Sequence, residues 1–197
     1  MHISEGILSW PVLAGCGAVA LAGTAVGIRK LDPEKIPRTG MLSAAFFVAS
    51  LIHVPLGPSS VHLILNGLVG LILGWSAFPA IFVAILLQAV LFQYGGITTM
   101  GVNTMIMAVP ALLSYYLFRP FAGRGDSLVF AGAFLCGMVA VLAGGLLAAV
   151  VLIWSEERFL EVALVIVTAH LPVMVAEGLI TGFAVLFLKK VKPGLLE

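Results

Sequence analysis

Long apolar runs separated by short polar loops dominate the chain. The runs are continuous and rich in Leu, Ala, Val, Ile and Gly, a pattern typical of membrane-crossing helices; a membrane β-barrel would show short alternating segments. No linker divides them, so residues 1–197 are predicted to form a single transmembrane domain. The seven predicted helices cover approximately residues 12–28, 41–54, 61–75, 78–92, 105–118, 128–154 and 162–188.

The composition agrees with an all-α integral membrane protein. Of the 197 residues, 61% are hydrophobic and 10% are charged, and the mean hydropathy is +1.19. Soluble domains carry about 25% charged residues, so this chain has too little polar surface to be soluble. The net charge of +1 gives no indication of nucleic-acid binding. Cys16 and Cys136 each lie inside an apolar run, without the spacing of a metal site or a disulfide framework.

The basic residues predict how the chain is oriented. Nine of the ten lie in the first loop, in the loop between helices 5 and 6, and in the C-terminal tail. With seven helices these three places share one side, and the positive-inside rule makes that side cytoplasmic. The N-terminus is then outside. Residues 1–11 carry no Lys or Arg and show no fitting cleavage site, so residue 1 is expected to be the mature start.

This orientation places all four histidines on the external side. They lie in the segment MHISEG, in the loop HVPLGPSSVH and in the outer part of helix 7. Imidazole is the commonest protein ligand for Zn, Cu, Fe and Ni. The sequence therefore indicates a transition-metal site on the outer face, formed among His2, His53, His62 and His170.

Met1 and His2 form the most informative pair. A terminal amine, the amide nitrogen of residue 2 and the His2 imidazole can chelate one ion through fused rings and leave a fourth planar position. Square-planar nitrogen sites favour Cu(II) or Ni(II). Both the amine and the amide must lose a proton, so the affinity should rise with pH.

His62, after Gly-Pro-Ser-Ser-Val and at the start of predicted helix 3, is the candidate fourth ligand. His53 is expected to be structural or to support the ligands. His170 precedes Pro172 and could instead bond the backbone that the proline loosens. Glu177 lies about two turns deeper; ionisable groups inside a span are costly and are usually functional or paired. A pairing with neighbouring helices is the favoured interpretation for Glu177.

The segment GGITTMGVNT is too polar and glycine-rich for an ordinary span. Irregular backbone at membrane depth is tolerated only where protein buries it or where it lines a cavity. Thr98, Thr99 and Asn103 are therefore predicted to line the metal site and to support its ligands, together with Ser60. A simple connecting loop is the alternative.

Four ordered motifs together resemble the CbiM/NikM proteins: MHISEG, HVPLGPSSVHLILNG, FQYGGITTMGVNT and HLPVMVAEGLITG. These are substrate-binding (S) components of energy-coupling-factor transporters for cobalt and nickel. The resemblance implies a seven-helix S-component fold in a prokaryotic cell membrane. It implies a metal bound by the terminal amine and by the amide and imidazole nitrogens of His2, completed by the histidine that matches His62. Some relatives carry Pro after that histidine, where this chain has Leu63.

The resemblance also implies partners: a transmembrane coupling subunit (T component), two cytosolic ATPases and, in some systems, a small accessory membrane subunit. The chain has no G-x-x-x-x-G-K-[ST] phosphate loop, so any ATP hydrolysis must come from another polypeptide. The expected function is capture of external Co(II) or Ni(II), with no enzymatic activity and no organic cofactor. The alternatives are a stand-alone secondary metal permease and a membrane metalloenzyme or haem protein.

Overall fold

A computed structural model describes residues 2–51, 53–56 and 59–196, and within them seven α-helices. The architecture is α-helical apart from one short β-ladder, which confirms the prediction of a helical protein. The helices are α1 (Trp10–Arg29), α2 (Ile36–Ala49), α3 (Asn66–Leu73), α4 (Ala77–Phe92), α5 (Met100–Phe118), α6 (Asp126–Ser155) and α7 (Leu160–Val191). Single 3₁₀ turns precede α2, α4 and α7, and another, Pro193–Leu195, follows α7.

Five stretches of the described chain are long and apolar enough to cross a membrane. They are α1, the combined stretch 66–92, α5, α6 and the stretch 157–191; α2, with 14 residues, is not among them. The chain is a multi-pass membrane protein, but seven separate spanning helices are not confirmed. The sidedness of the two termini remains a prediction.

The region between α2 and α3 differs from the prediction. Helix α2 ends at Ala49, and α3 begins only at Asn66, so His62 does not open a helix. The chain instead forms two short antiparallel strands, β1 (His53–Leu56) and β2 (Ser59–His62), in a register that pairs His53 with His62. Pro55 explains part of the difference, because a proline forces the residue before it into an extended conformation. After β2, Leu65 adopts a left-handed conformation with φ 56° that turns the chain into α3.

A break at Gly74 joins α3 to α4. Gly74 has φ 54° and ψ −125°, a combination that only glycine adopts without strain, and one 3₁₀ turn follows it. The stretch 66–92 is therefore a bent span with two axes.

Helix α5 is the centre of the bundle, and it packs against α1, α3, α4 and α6. Its Ile106 and Met107 are fully buried, and Pro110 lies near the middle of the continuous helix, where its carbonyl accepts a hydrogen bond from the Ser114 hydroxyl. Helices α6 and α7 form the most extensive helix pair. A Cβ at Gly137 would lie 2.7 Å from the Glu177 carbonyl oxygen, so glycine at that position permits the close approach of α7.

Candidate metal centre

The His2 and His62 imidazoles meet at one end of the bundle. Their ring centroids are 4.9 Å apart with an interplanar angle of 32°, and both residues are almost completely buried, at 5% and 3% exposure. Tyr94 lies next to them, with its ring centroid 6.2 Å from that of His2. Two imidazoles at this distance can place nitrogens around one ion.

A buried glutamine sets the tautomer of His2. Gln88 Nε2 donates to the Phe47 carbonyl at 3.2 Å, which fixes the orientation of the Gln88 amide. The oxygen Oε1 then faces His2 Nε2 at 2.8 Å and accepts a hydrogen bond from the N–H of that ring nitrogen. With the proton on Nε2, the lone pair of the His2 ring is on Nδ1, the nitrogen nearer to the backbone amide.

His62 has the opposite tautomer. Its Nδ1 donates to the Leu63 carbonyl at 2.7 Å, so the ring lone pair is on Nε2. Burial holds the pKa of His62 well below its ordinary value, and the nearby His2 lowers this pKa further. The imidazole is therefore neutral at pH 7, the form that binds metal ions.

Asn103 fixes the backbone just after His2. Its Oδ1 accepts from the Ile3 N–H at 2.8 Å, and its Nδ2 donates to the Ile3 carbonyl at 3.1 Å and to Thr99 Oγ1 at 3.3 Å. Ile3 itself is fully buried. The result is an amide clamp on the N-terminal segment that limits where His2 can lie.

Glu5 supplies a second anchor at the surface. Its backbone N–H donates to the Gly95 carbonyl at 3.1 Å, and its Oε1 accepts from the Thr98 N–H at 2.8 Å and from the Thr98 hydroxyl at 3.0 Å. These hydrogen bonds, led by the one from the Thr98 backbone, lower the pKa of Glu5 below its ordinary value. The N-terminal segment is thus held along its length by residues 95–103.

Glu177 holds the loop that follows His62. Its carboxylate is fully buried and accepts hydrogen bonds from the Ile64 and Leu65 backbone amides, the Leu65 distances being 2.9 and 3.0 Å. These amides belong to the turn that directly follows His62. The described contacts of the Glu177 carboxylate are therefore with this turn, whereas the sequence favoured a pairing with neighbouring helices.

His170 lies one layer away from the two imidazoles, within electrostatic reach of His62. Its Nδ1 donates to the Ile166 carbonyl at 2.7 Å, so it bonds the backbone one turn before it. Its Nε2 is buried and has no hydrogen-bond partner among the described residues. The structure thus places His170 near His62, with its described hydrogen bond made to the backbone of its own helix.

The remaining predicted site residues are placed as follows. Thr99 donates to the Gly96 carbonyl at 3.4 Å and accepts from Asn103, so it supports the clamp. His53 and Ser60 are described by their backbone alone: His53 pairs with His62 and Ser60 with Pro55 in the two-stranded ladder. Met1 lies outside the described residues.

Segment 95–104 also differs from the expectation of irregular backbone throughout. Its first half is irregular, with positive φ at Gly95 and Gly96, but α5 begins at Met100 and so includes Asn103. Thr98 bonds the Glu5 carboxylate and Asn103 bonds the Ile3 backbone, so these side chains support the N-terminal segment.

Sequence reasoning did not identify Gln88 or Glu5 as part of the site. Gln88 is the single polar side chain in α4 that is fully buried, and a buried amide in an apolar helix needs a partner. That isolation was the available signal. Glu5 gave no comparable signal, because an exposed acid near a terminus is ordinary.

The donor set is small. Within the described residues, no group of three or more His, Cys, Asp or Glu side chains could hold a metal ion. His2 and His62 supply two imidazole nitrogens, so a four-coordinate ion would need two further ligands.

The chain is similar to several metal-transport proteins in sequence and in fold. The profile of a family described as CbiM, cobalt uptake substrate-specific transmembrane region, matches residues 2–195. A Haemophilus influenzae protein provisionally named a metal transport protein is 41% identical, over 100% of this chain and 97% of its own. The cobalt transport protein CbiM of Kyrpidia tusciae is 34% identical over 100% and 86%.

A partial relative and a solved structure extend the likeness. The fused nickel transport protein NikMN of Rhodobacter capsulatus is 37% identical over 55% of this chain and 33% of its own. The crystal structure of a transition metal transporter superposes with a TM-score of 0.86 at 29% identity, covering 97% of this chain and 93% of the other.

Proposed function

We propose, from the premise that this chain belongs to the CbiM family of cobalt-uptake transmembrane proteins, that it captures Co(II) or Ni(II) outside the cell as the substrate-specific subunit of an energy-coupling-factor importer. The chain is a multi-pass membrane transport protein and not an enzyme. The proposal adds the ligand set, the direction of transport and the partners.

The observation that carries the proposal is the pair of complementary tautomers at His2 and His62. Gln88 keeps the His2 proton on Nε2, so the ring lone pair lies on Nδ1, the ring nitrogen on the side of the amide nitrogen of the same residue. In the proposed site the Met1 amine, the His2 amide nitrogen and His2 Nδ1 form fused chelate rings. His62 Nε2 occupies the fourth position, because Nδ1 of that ring donates to the Leu63 carbonyl.

The surrounding residues support this geometry. A ligand imidazole whose second nitrogen donates to an acceptor is fixed in orientation and is more basic, and loss of such a partner typically costs 10–100-fold in metal affinity. Gln88 has this role for His2. Asn103 sets the position of the backbone that supplies the amide nitrogen, and Glu177 sets the loop after His62. His53, Ser60, Thr98, Thr99 and His170 are proposed to line the site.

The energy source is proposed to lie in partner subunits. No phosphate-loop motif occurs in the sequence, and the Rhodobacter capsulatus relative is a fusion with further sequence beyond this region. We propose a transmembrane coupling subunit and two cytosolic ATPases, with an accessory membrane subunit in addition. The histidine end then faces outward and the C-terminus lies in the cytoplasm, as the distribution of Lys and Arg predicts.

Calorimetric titration with Ni(II) and Co(II) tests the ligand set. The native protein is compared with His2→Ala, His62→Ala and a version with one glycine added before Met1. Each change removes a proposed nitrogen ligand or displaces the amine from its chelate ring, so we expect at least about a 100-fold loss of affinity, equal to about 2.7 kcal/mol. Ser114→Ala, which alters a buried hydroxyl within the bundle, is the control.

Two results would contradict the proposal. If the version with the added glycine binds as tightly as the native protein, the amine is not a ligand. If the chain alone accumulates metal in proteoliposomes without ATPase subunits, it is a secondary permease.

A further inference from the structure

At the end of the bundle opposite the histidines, a half-open cavity of about 450 Å³ lies among the end of α1, the start of α2, the turn at Gly74 and the end of α5. The 20 residues of α1 place it about 30 Å from the N-terminal segment. Nothing in the proposed metal chemistry uses this cavity.

Four cationic side chains line the cavity: Lys30, Lys35, Arg38 and Arg119. Among the described residues that line it, none is an Asp or a Glu. The ion pair found nearby, Lys189 with Asp126, neutralises a different lysine. The described lining of the cavity therefore carries four positive charges and no acidic side chain.

Aromatic rings hold two of these cations in place. Lys30 Nζ lies 4.8 Å from the centroid of the Trp75 ring, and the Arg119 guanidinium carbon lies 5.4 Å from that of Tyr115. Trp75 Nε1 in turn donates to the Tyr116 hydroxyl at 3.0 Å. Cation–π contacts of this kind orient a charged group without neutralising it.

Two of the four cations are arginines, Arg38 and Arg119. A guanidinium group presents several N–H donors in a planar fork, and this fork matches the oxygens of a phosphate particularly well. The side chains that line the cavity therefore favour a phosphate oxyanion over a simple halide ion.

The wall beside the cavity favours a lipid as the source of the phosphate. Leu113 and Leu117 are exposed on α5 and lie one helical turn apart, next to Tyr116 in the cavity lining. An acyl chain could lie along this apolar strip while its headgroup enters the cavity. Basic pockets between transmembrane helices are known to bind anionic headgroups.

We infer that the cavity formed by Lys30, Lys35, Arg38 and Arg119 is a binding site for the phosphate group of an anionic phospholipid. This site is separate from the metal centre. It stabilises the turn between α3 and α4 and the ends of α1 and α5, because one headgroup contacts all of these elements.

Native mass spectrometry of the full chain, mixed with equal amounts of phosphatidylglycerol and phosphatidylcholine, tests the inference. The variants are Arg119→Gln and the double variant Arg38→Gln/Arg119→Gln. Arg124→Gln is the matched control, since Arg124 lies at the same end but does not line the cavity. Circular dichroism and thermal melting verify that each variant is folded. If the double variant does not fold, the single variant Arg119→Gln still tests the inference.

We expect the native protein and Arg124→Gln to retain phosphatidylglycerol preferentially. The preference should fall about five-fold in Arg119→Gln and about 25-fold in the double variant, since each cation near a headgroup contributes about one five-fold factor. If added inorganic phosphate displaces the lipid and binds alone with the same dependence on Arg119, the site is still a phosphate site but free phosphate is its ligand.

Equal retention of both lipids by the native protein would overturn the inference, as would an equal loss in Arg124→Gln. Binding of a poly-glutamate peptide in place of lipid and phosphate would assign the cations to an acidic protein segment and would also overturn it.

Discussion

The backbone that carries His2 and the backbone that follows His62 meet at one place, but the structure supports them in different ways. The His2 side is held by neutral amides, Asn103 on the Ile3 backbone and Gln88 on the ring. The His62 side is held by one buried carboxylate, Glu177, on the amides of Ile64 and Leu65.

The difference follows from what each backbone presents. Ile3 offers one N–H and one carbonyl to the same side, and only an amide side chain both accepts and donates. The turn at Ile64 and Leu65 offers two N–H groups, and an ionised carboxylate only accepts. Hydrogen bonds to a charged group are about twice as strong as neutral ones, so the His62 loop should be the more firmly fixed of the two.

The largest effect is expected for Glu177→Gln. The change replaces one acceptor oxygen by an NH₂ group that faces the Leu65 N–H, so a charge-assisted bond is lost and two donors oppose each other. We expect about a 100-fold loss of Ni(II) affinity and faster hydrogen exchange at Ile64 and Leu65. Thr181→Val, one turn away and equally buried, is the control and should leave both quantities unchanged. Native affinity in Glu177→Gln would show that the loop does not depend on the carboxylate.

A smaller effect is expected for Asn103→Leu. It removes both hydrogen bonds to Ile3, but these are neutral and the freed groups lie near the N-terminus, where water can partly replace them. We expect about a ten-fold loss of affinity by calorimetry. The control is Ser114→Ala on the same helix. A loss as large as that of Glu177→Gln would mean that Asn103 and Glu177 support the site equally strongly.

The smallest effect is expected at Glu5, which is exposed to solvent. Because hydrogen bonds from Thr98 lower its pKa in the folded protein, its contribution to stability is present above the ordinary value of 4.5 and is lost as the pH falls through the lowered pKa. The protection of the Thr98 amide against hydrogen exchange, taken relative to its intrinsic exchange rate at each pH, should therefore fall at acid pH in the native protein. In Glu5→Gln this acid dependence should be absent, whereas Glu161→Gln should retain it; an unchanged profile in Glu5→Gln would exclude Glu5 as the titrating group.

The sequence predicted the helical architecture and the approximate extent of α1 and α4–α7, because an apolar run of membrane length has few alternatives. It did not predict the strands around Pro55, since a short apolar stretch can be helix or strand and tertiary pairing decides. The partners of Glu177 were equally hidden. They lie 112 and 113 residues away, and they are backbone amides, which leave no trace in residue types.

Gln88 also illustrates that hydrogen-bond partners distant in the chain cannot be identified from the sequence. The residue stands out in α4, but its two partners, His2 and the Phe47 carbonyl, are brought together only by the packing of three separate segments. The four histidines were predicted to lie near one another, and the structure brings His2 to His62, pairs His53 with His62 and places His170 close by.

The Asn103 clamp on Ile3 also has a kinetic meaning. It tethers His2 to the bundle by a single residue, so that imidazole does not have to find His62 by diffusion, and short tethers correspond to effective concentrations in the millimolar range or above. An ion that binds His62 first would thus find the His2 imidazole already within reach. Opening the Asn103 clamp would lower the local concentration of this imidazole at once, and this would favour release of the ion.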